Sequence, residues 1–431
     1  MIRTTAIASL AAGLAAISVS VCVTGKTPSA AAAASDRPVI QRVDPAIDAI
    51  VAPGTKVETV ADGFVFTEGP MWRDGRLWFS DLRGDTVYAV TPGGQKQVLI
   101  AHAGGYPNMP AGTNLGPNAM VPAPDGSVLL VQQGGRKISR IGADMTLTPV
   151  VSSYNGKRIN SPNDLVYAPD GSLYFTDPPF GLLKGDDDPA KEQSFNGVYR
   201  YVDGKVTAVI TDLAMPNGIG LSNDGKTLYV NNYGPDMKLM AYDIQPDGSV
   251  TNGRALITYT ENQGVGGPDG LKVDSAGHIW ATGPGGIRIL TPQGKVLAFI
   301  RMPAQTANLA FGGADGKTLF ITSSGTIYKL HSQVAGTMPL YEGAASNRAS
   351  ASPLPSPASQ VAARESAPDP ALKLIDQRCT SCHGTQQIYQ ERKTAKGWAD
   401  TVEKMINMGA DLSDDEASMV THYLTEHYPA S

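Results

Sequence analysis

The sequence predicts an all-β, six-bladed β-propeller followed by a small all-α domain. Between residues 68 and 321, six segments share one order: a polar residue, a Gly-containing turn six or seven positions later, and a short apolar run. Short strands with Gly-rich turns that recur about every 40–55 residues are typical of a propeller. Residues 371–431 instead space their apolar residues as helices do.

Each apolar run after a turn predicts a strand. The six runs are Leu77–Phe79, Val128–Leu130, Leu173–Phe175, Leu228–Val230, Ile279–Ala281 and Leu319–Ile321. Further strands are predicted between the repeats, because four segments alternate or run apolar. These segments are Thr86–Val90, Gly197–Tyr201, Leu239–Tyr242 and Ile287–Leu290. The predicted propeller spans residues 55–332.

The last repeat lacks an outermost strand. It supplies Leu319–Thr322 and Thr326–Leu330, and little after them could complete the blade. The β-type segment Lys56–Val60 stands before the first repeat, after a lead-in of residues 36–55. It is therefore predicted to complete the last blade and close the ring, which removes the free sheet edge.

The polar residue of each repeat is the candidate functional position. The six are Glu68, Asn118, Asn163, Asn217, Asp269 and Asn308. Equivalent positions in successive blades lie at one height around the central channel, and a ring of oxygen donors suits a hard divalent cation. The alternative is that the Pro-Asn and Pro-Asp steps are only turn formers. The shared register favours the ring, since turn chemistry alone does not require an oxygen donor in every copy.

The N-terminal residues predict export. Arg3 precedes an apolar stretch, Ile7–Val23, and Ala30–Ala34 supplies a cleavage site. Residues 1–34 are therefore predicted to be a signal peptide, and the mature protein to be periplasmic or secreted. The stretch is short and rich in Ala and Ser for a membrane span. Lipoprotein anchoring through Cys22 is the second choice, because Val precedes it where a lipobox has Gly or Ala.

Composition limits the partners and the domain count. The chain has 431 residues and a net charge of −5, so two domains are expected and no basic face for nucleic acid is implied. Residues 343–370 are rich in Ala, Ser and Pro, which predicts a linker. In the tail, Thr394–Met408 has a helical apolar face, and Ser413 with Glu416 forms a capping box that opens a second helix.

A Cys-x-x-Cys-His motif stands at the start of the tail. Cys379 and Cys382 can both reach the vinyl groups of one porphyrin, and His383 can bind its iron. A zinc site would need a second ligand pair, and a thioredoxin-type pair would need a βαβ context; the sequence offers neither. The motif predicts covalently attached heme c.

The tail resembles a short class of monoheme cytochrome c domain. The resemblance covers residues 371–431 and rests on the heme motif and on the run from Gly397 to Met405. It implies a distal iron ligand. Met405 is favoured because it shares a helical face with Trp398; Met408, nearer a loop, is the alternative. His422 and His427 are expected to face solvent.

Motifs along the propeller resemble the SMP-30/gluconolactonase/luciferin-regenerating-enzyme-like family. They are Thr67–Pro70, Ser161–Leu165, Asp177–Gly181, Pro216–Gly218 and Pro268–Gly270. The resemblance implies a six-bladed propeller that binds a divalent cation, Ca²⁺ before Zn²⁺ or Mg²⁺, and hydrolyses lactones.

The resemblance also implies roles for ring residues. Glu68, Asn217 and Asp269 match metal ligands, and Asp269 also matches the proton-transfer group. Asn163, like Asn118, is assigned to substrate or to an additional metal contact. The family pattern often has a His-containing motif where this chain has Val131–Arg136. No Gly-x-Ser-x-Gly elbow supplies a nucleophile. Arg158 is expected at the surface.

The fusion leaves three hypotheses. In the first, a lactone hydrolase carries an electron-transfer domain, and a periplasmic dehydrogenase or cytochrome is its redox partner during sugar or alcohol oxidation. In the second, the propeller itself is a dehydrogenase. In the third, the propeller only docks partners and the protein is an electron carrier. The intact set of Glu68, Asn217 and Asp269 favours the first.

Overall fold

The computed structural model describes residues 37–260, 263–337, 393–407 and 412–428. Two strands come first: β1 (Val39–Arg42) and β2 (Glu58–Ala61). Blade 1 contains β3 (Thr67–Arg73), β4 (Arg76–Asp81), β5 (Thr86–Val90) and β6 (Lys96–Ala101). Blade 2 contains β7 (Pro117–Pro122), β8 (Val128–Gln132), β9 (Lys137–Ile141) and β10 (Leu147–Val151).

A small hairpin of β11 (Ser153–Tyr154) and β12 (Lys157–Arg158) precedes blade 3. Blade 3 contains β13 (Leu165–Tyr167), β14 (Leu173–Asp177), β15 (Gly197–Val202) and β16 (Lys205–Ile210). Blade 4 contains β17 (Pro216–Leu221), β18 (Thr227–Asn232), β19 (Lys238–Ile244) and β20 (Val250–Thr258). Blade 5 contains β21 (Leu271–Val273), β22 (Ile279–Gly283), β23 (Gly286–Leu290) and β24 (Val296–Arg301). Blade 6 contains β25 (Thr306–Gly312), β26 (Thr318–Ser323) and β27 (Thr326–His331).

The six blades close into a ring. Each inner strand contacts the inner strand of the next blade, and β25 of blade 6 contacts β3 of blade 1. Strand β2 pairs with β27, with Glu58 opposite Lys329 and Thr59 opposite Tyr328, and so completes blade 6. The predicted six-bladed propeller and its closure by an N-terminal strand are both confirmed.

The lead-in is part of the propeller. Strand β1 adds a fifth strand to blade 5 by pairing with β24, with Val39 opposite Arg301. A 3-10 turn at Pro45–Ala49 follows, and Ile47 and Val51 are fully buried between blades 5 and 6. After blade 6 the chain continues to pack on the propeller, where Thr337 N–H donates to Val273. The ordered unit therefore extends beyond residues 55–332 on both sides.

The apolar cores lie between neighbouring blades. One cluster joins Met71 and Trp78 of blade 1 to Met120 and Leu130 of blade 2. Alternate side chains of each strand face opposite sides of the blade, so the apolar runs bury residues against both neighbours. This packing fixes the radius at which the inner strands meet.

Two helices follow in the described part of the tail, α1 (Ala395–Asn407) and α2 (Asp414–His427). Ser413 caps α2 in the predicted capping box with Glu416. Trp398, Val402 and Met405 of α1 are buried against α2 in a small apolar cluster. Among the residues described, no helix is long and apolar enough to cross a membrane.

Several predictions concern residues outside the described ranges. They are the signal peptide 1–34 with Cys22, the linker 343–370, the heme residues Cys379, Cys382 and His383, and the alternative ligand Met408. The two helices are compatible with an all-α tail. The heme and the ligand role of Met405 stay predictions.

Candidate metal and catalytic site

The six ring residues are all buried at one end of the channel. Their exposed fractions lie between 1% and 5%. Each is the second or third residue of an inner strand or stands two residues before one. Burying one amide or carboxylate in each of six blades is unusual for surface turns, which are exposed. The turn-former interpretation therefore does not account for the set.

Backbone irregularities lie beside several ring residues. Pairing between the first two strands shifts register beside the ring residue in blades 1, 2, 4 and 6. Such a bulge re-aims the side chains next to it. In blades 3 and 5 the inner strand begins only after the ring residue, at Leu165 and Leu271.

Glycines that follow ring residues allow neighbouring blades to approach closely. A Cβ on Gly218 would lie 2.1 Å from the carbonyl oxygen of Asp269 in the next blade. A Cβ on Gly270 would lie 2.1 Å from Cγ of Asn308. The Asn-Gly and Asp-Gly steps are therefore packing requirements of the ring, because any larger residue would push adjacent ring positions apart.

Hydrogen bonds between blades fix the ring backbone. Ser80 Oγ donates to the carbonyl of Asn118 at 2.7 Å, and Thr176 Oγ1 donates to the carbonyl of Asn217 at 2.6 Å. Asn231 Nδ2 donates to the carbonyl of Asp269 at 2.6 Å. Each donor comes from the second strand of the preceding blade, so the ring side chains are held on rigid elements.

The two ring carboxylates lie close together in a desolvated environment. Glu68 accepts hydrogen bonds from Gly69 N–H at 2.8 Å and from Asn308 Nδ2 at 3.3 Å. Burial, opposed by the Gly69 N–H and reinforced by the charge of Asp164, raises the pKa of Glu68 to about 7. Burial and the charge of Glu68 raise the pKa of Asp269 well above its ordinary value, and the side chain of Asn217 opposes this shift.

Three ring oxygens have no hydrogen-bond partner among the residues that the structure describes. They are Oδ1 of Asn118, of Asn217 and of Asp269, all buried. An unsatisfied buried acceptor costs about 1–3 kcal/mol, so three at one site indicate a missing electropositive partner. Within the described ranges, no three His, Cys, Asp or Glu side chains form a metal-binding group. A cation here would therefore need the amide oxygens, and the donor set fits a hard divalent ion.

Comparison with known proteins identifies the propeller. Residues 66–325 match the family model described as the SMP-30/Gluconolactonase/LRE-like region. The chain is also 34% identical, over 309 residues, to a gluconolactonase of Zymomonas mobilis; the match covers 69% of this chain and 87% of that protein. The chain belongs to the SMP-30/gluconolactonase/LRE-like family. It is a lactonase-type hydrolase.

Two solved structures place this family member among its relatives. XC5397, a gluconolactonase from Xanthomonas campestris, is 29% identical with a TM-score of 0.60, and the match covers 68% of this chain and 94% of that one. A regucalcin from Agrobacterium tumefaciens, described as a calcium-binding protein, has a TM-score of 0.54 and 22% identity over 66% of this chain and 96% of that one. The second likeness concerns the fold alone.

The sequence did not single out Asp164 as a site residue. This carboxylate of the SMP-30-like propeller is buried, and its charge raises the pKa of both Glu68 and Asp269. Its oxygens accept from Leu165 N–H at 2.8 Å and Ile219 N–H at 3.4 Å. Asp164 also lines an otherwise largely apolar cavity of about 160 Å³. Its only sequence signal was its place inside the Ser161–Leu165 motif.

The region that departs from the family pattern has a structural role. Gln133 is buried and accepts a hydrogen bond from Asn118 Nδ2 at 2.7 Å, so it orients that ring amide. Arg136 is buried and its Nε donates to the carbonyls of Ile159 and Asn160, both at 2.9 Å. Arg158 is exposed on the small hairpin, as predicted.

Proposed function

We propose that the ring binds one divalent cation, Ca²⁺ before Zn²⁺ or Mg²⁺, and that a sugar lactone is hydrolysed beside it. The observation that carries this proposal is the set of unpaired oxygens on Asn118, Asn217 and Asp269. Oxygen donors alone suit Ca²⁺, whereas Zn²⁺ sites usually include nitrogen or sulfur. Glu68, Asn217 and Asp269 would hold the ion. Asn163 and Asn118 would contact the substrate or add a ligand.

Hydrolysis needs an oxyanion stabiliser and a proton carrier. When bound, the divalent cation supplies Lewis-acid stabilisation of the oxyanion that forms as water adds to the lactone carbonyl. Asp269 would bind the cation through Oδ1, which lacks a hydrogen-bond partner among the described residues, and its second carboxylate oxygen accepts the proton of the attacking water. The same carboxyl then donates that proton to the ring oxygen as the ester bond breaks, which yields the hydroxy acid.

The roles of the two carboxylates differ because their surroundings differ. Glu68 is held by Gly69 N–H and by Asn308 Nδ2, which suits a ligand that stays in place. Asp269 Oδ1 has no hydrogen-bond partner among the described residues, so this oxygen can bind the cation while the second carboxylate oxygen exchanges a proton.

The test uses purified full-length protein stripped of metal with a chelator. Hydrolysis of glucono-1,5-lactone and a panel of other sugar lactones is measured before and after addition of Ca²⁺, Zn²⁺ or Mg²⁺. Activity that returns on metal addition, with a one-to-one calorimetric stoichiometry, supports the proposal. Full activity in the stripped protein, or none with any metal, contradicts it.

For the tail, we infer that residues 371–431 form a cytochrome c-type domain in an exported, periplasmic protein. The Cys379–His383 motif supports this. Cys379 and Cys382 would attach heme c, His383 would be one axial ligand, and Met405 (or Met408) the other. Coexpression with a heme-maturation system should give heme that acid-acetone does not extract. Loss of the heme on extraction would contradict this. Met405→Ala should give a high-spin or ligand-exchanged iron, and an unchanged spectrum would move the ligand to Met408 or a histidine.

We propose that the two domains act on one oxidation pathway. A periplasmic sugar or alcohol dehydrogenase would form the lactone, and the propeller would remove it by hydrolysis. In that arrangement the dehydrogenase or another cytochrome exchanges electrons with the heme. The two alternatives, a redox propeller and a docking propeller, are separated by two assays. Lactone hydrolysis is measured with the heme fully reduced, and direct heme reduction by sugars and alcohols is measured without a dehydrogenase.

A further inference from the structure

Arg83 lies at the end of the channel that carries the ring. It follows β4, and the end of β4 pairs with the start of β3, where Ser80 is opposite Glu68. The Arg83 guanidinium carbon lies 4.4 Å from the centroid of the Phe66 ring, and Phe66 stands two residues before Glu68. A cation over an aromatic face is attracted to it.

The side chain is oriented by a second contact. Arg83 Nε donates to Asn114 Oδ1 at 2.9 Å, in the loop that leads to blade 2. This contact uses only one of the five N–H groups of the guanidinium. Whereas Arg200 pairs with Asp170 at 2.9 Å, Arg83 has no carboxylate oxygen within 4.0 Å among residues 37–260, 263–337, 393–407 and 412–428.

The turn that carries Arg83 is fixed to its aromatic neighbour. One carboxylate, Asp81, accepts from Phe66 N–H at 2.8 Å and from Gly84 N–H at 3.1 Å. Asp81 is buried, and its two hydrogen bonds join the turn that carries Arg83 to the backbone of Phe66. Arg83 is therefore preorganised rather than a mobile surface cation.

Tyr233 lies beside the ring residues, within electrostatic range of Arg83. It follows β18, and its ring packs so closely on Gly267 that a Cβ there would lie 2.6 Å from Cε2. Gly267 is two residues before Asp269. Burial and the charge of Asp269 raise the pKa of Tyr233, while the charge of Arg83 lowers it. Both charges therefore act on the Tyr233 hydroxyl. Phe180 packs edge-to-face on Tyr233 with centroids 5.7 Å apart.

We propose that Arg83, held by Phe66 and Asn114, binds an anionic group of the substrate, and that the enzyme prefers sugar lactones with a carboxylate or phosphate away from the ester. This rests on the proposed function, because it places the lactone ester at the ring beside Tyr233. A guanidinium with unpaired N–H groups pairs with oxyanions through two parallel hydrogen bonds. A neutral sugar would leave that capacity unused.

The test compares kcat/KM for 6-phosphogluconolactone and for a glucarolactone, which carries a carboxylate, with that for gluconolactone. Wild-type protein should favour at least one charged substrate, and the better one identifies the anion. Arg83→Gln should lower the charged-to-neutral ratio about 10–100-fold. Asn114→Ala keeps the charge but frees the side chain, so a smaller decrease is expected. Arg254→Gln is the matched control, because Arg254 lies on the outer strand β20 and pairs with Asp243.

A binding measurement separates this proposal from the proposed function. Calorimetry compares 6-phosphogluconate and glucarate with gluconate on wild-type protein and on Arg83→Gln. Tighter binding of at least one of the two charged ligands that disappears in Arg83→Gln supports the anion site even if no lactone is hydrolysed. Binding of both no tighter than that of gluconate by wild-type protein, or ratios that Arg83→Gln leaves unchanged, overturns it.

Discussion

Blades 1 and 5 differ from the other four at one position. They place the carboxylates of Glu68 and Asp269 where blades 2, 3, 4 and 6 place asparagine amides. All six side chains are buried at the same end of the channel, so the repeated backbone decides where the oxygens lie. The residue type decides the charge. Two carboxylates nearly neutralise a 2+ ion, and the neutral amides add ligands without adding charge.

The amide and carboxylate blades also differ in the free energy of burying the ring side chain. A buried amide loses hydrogen bonds when unpaired, whereas a buried carboxylate loses far more hydration. The pKa of both Glu68 and Asp269 is raised for this reason. Burial of these two carboxylates therefore destabilises the metal-free protein, and cation binding should stabilise it. Mutations at the ring positions test whether the charge of a side chain or only its oxygen atom is needed.

Asp269→Asn should have the largest effect on catalysis. The substitution keeps an amide oxygen in place but removes the proton acceptor, and loss of a general base lowers the rate about 10²–10⁴-fold. Excess Ca²⁺ should not restore it. Turnover is measured across a Ca²⁺ titration, and thermal unfolding of the metal-free variant is the control. Because a buried charge is removed, its melting temperature should equal or exceed that of the wild type. Near wild-type turnover at saturating Ca²⁺ would exclude Asp269 as the base.

Glu68→Gln should act mainly through the metal. It removes one of the two charges that hold the cation but no proton carrier, so Ca²⁺ affinity should fall about 10–100-fold. High Ca²⁺ should then restore a large part of the activity. Calorimetry measures the affinity directly, and the Ca²⁺-induced rise in melting temperature should shrink in parallel. A loss of activity at unchanged affinity would assign Glu68 a role in the chemical step.

Repetition made this much of the molecule predictable. A feature copied six times reveals its register, so the strands, the ring and its closure by Lys56–Val60 were accessible from the sequence. The capping box at Ser413 was accessible because its residues are local. Strand β1 was missed because Val39–Arg42 is short and has no copy in the repeats; its role depends on pairing with β24, more than 250 residues away.

Asp164 and Arg83 were missed as site residues for the same physical reason. Each occurs in one blade only, and its importance comes from neighbours that are distant in sequence. Asp164 acts on Glu68 and Asp269 through space, and Arg83 depends on Asn114. A single sequence reveals the features that all blades repeat. Substrate specificity and the charge balance of the site depend instead on residues that occur in one blade only.

Asn217 and Asn118 are a matched pair of ring amides, and substituting them should have smaller effects than substituting the carboxylates. Each has an unpaired Oδ1 among the described residues, but Asn217 is the amide that opposes the raised pKa of Asp269, whereas Asn118 Nδ2 donates to Gln133. Asn217→Ala should therefore lower Ca²⁺ affinity about tenfold, and Asn118→Ala should change it less. If Asn118 contacts the lactone, its variant should instead raise KM at saturating metal. A larger loss of affinity in Asn118→Ala would move the cation toward blade 2.

Asp164→Asn should have the smallest effect. The amide oxygen can still accept from Leu165 N–H, so the local fold is kept. One negative charge beside Glu68 and Asp269 is removed, and since the attraction is indirect, Ca²⁺ affinity should fall only several-fold with kcat nearly unchanged. Affinity is measured by calorimetry and kcat at saturating Ca²⁺. A drop in kcat comparable to that of Asp269→Asn would make Asp164 a second proton carrier. Unchanged affinity would mean that its charge serves only the backbone of blades 3 and 4, where Ile219 N–H is its other donor.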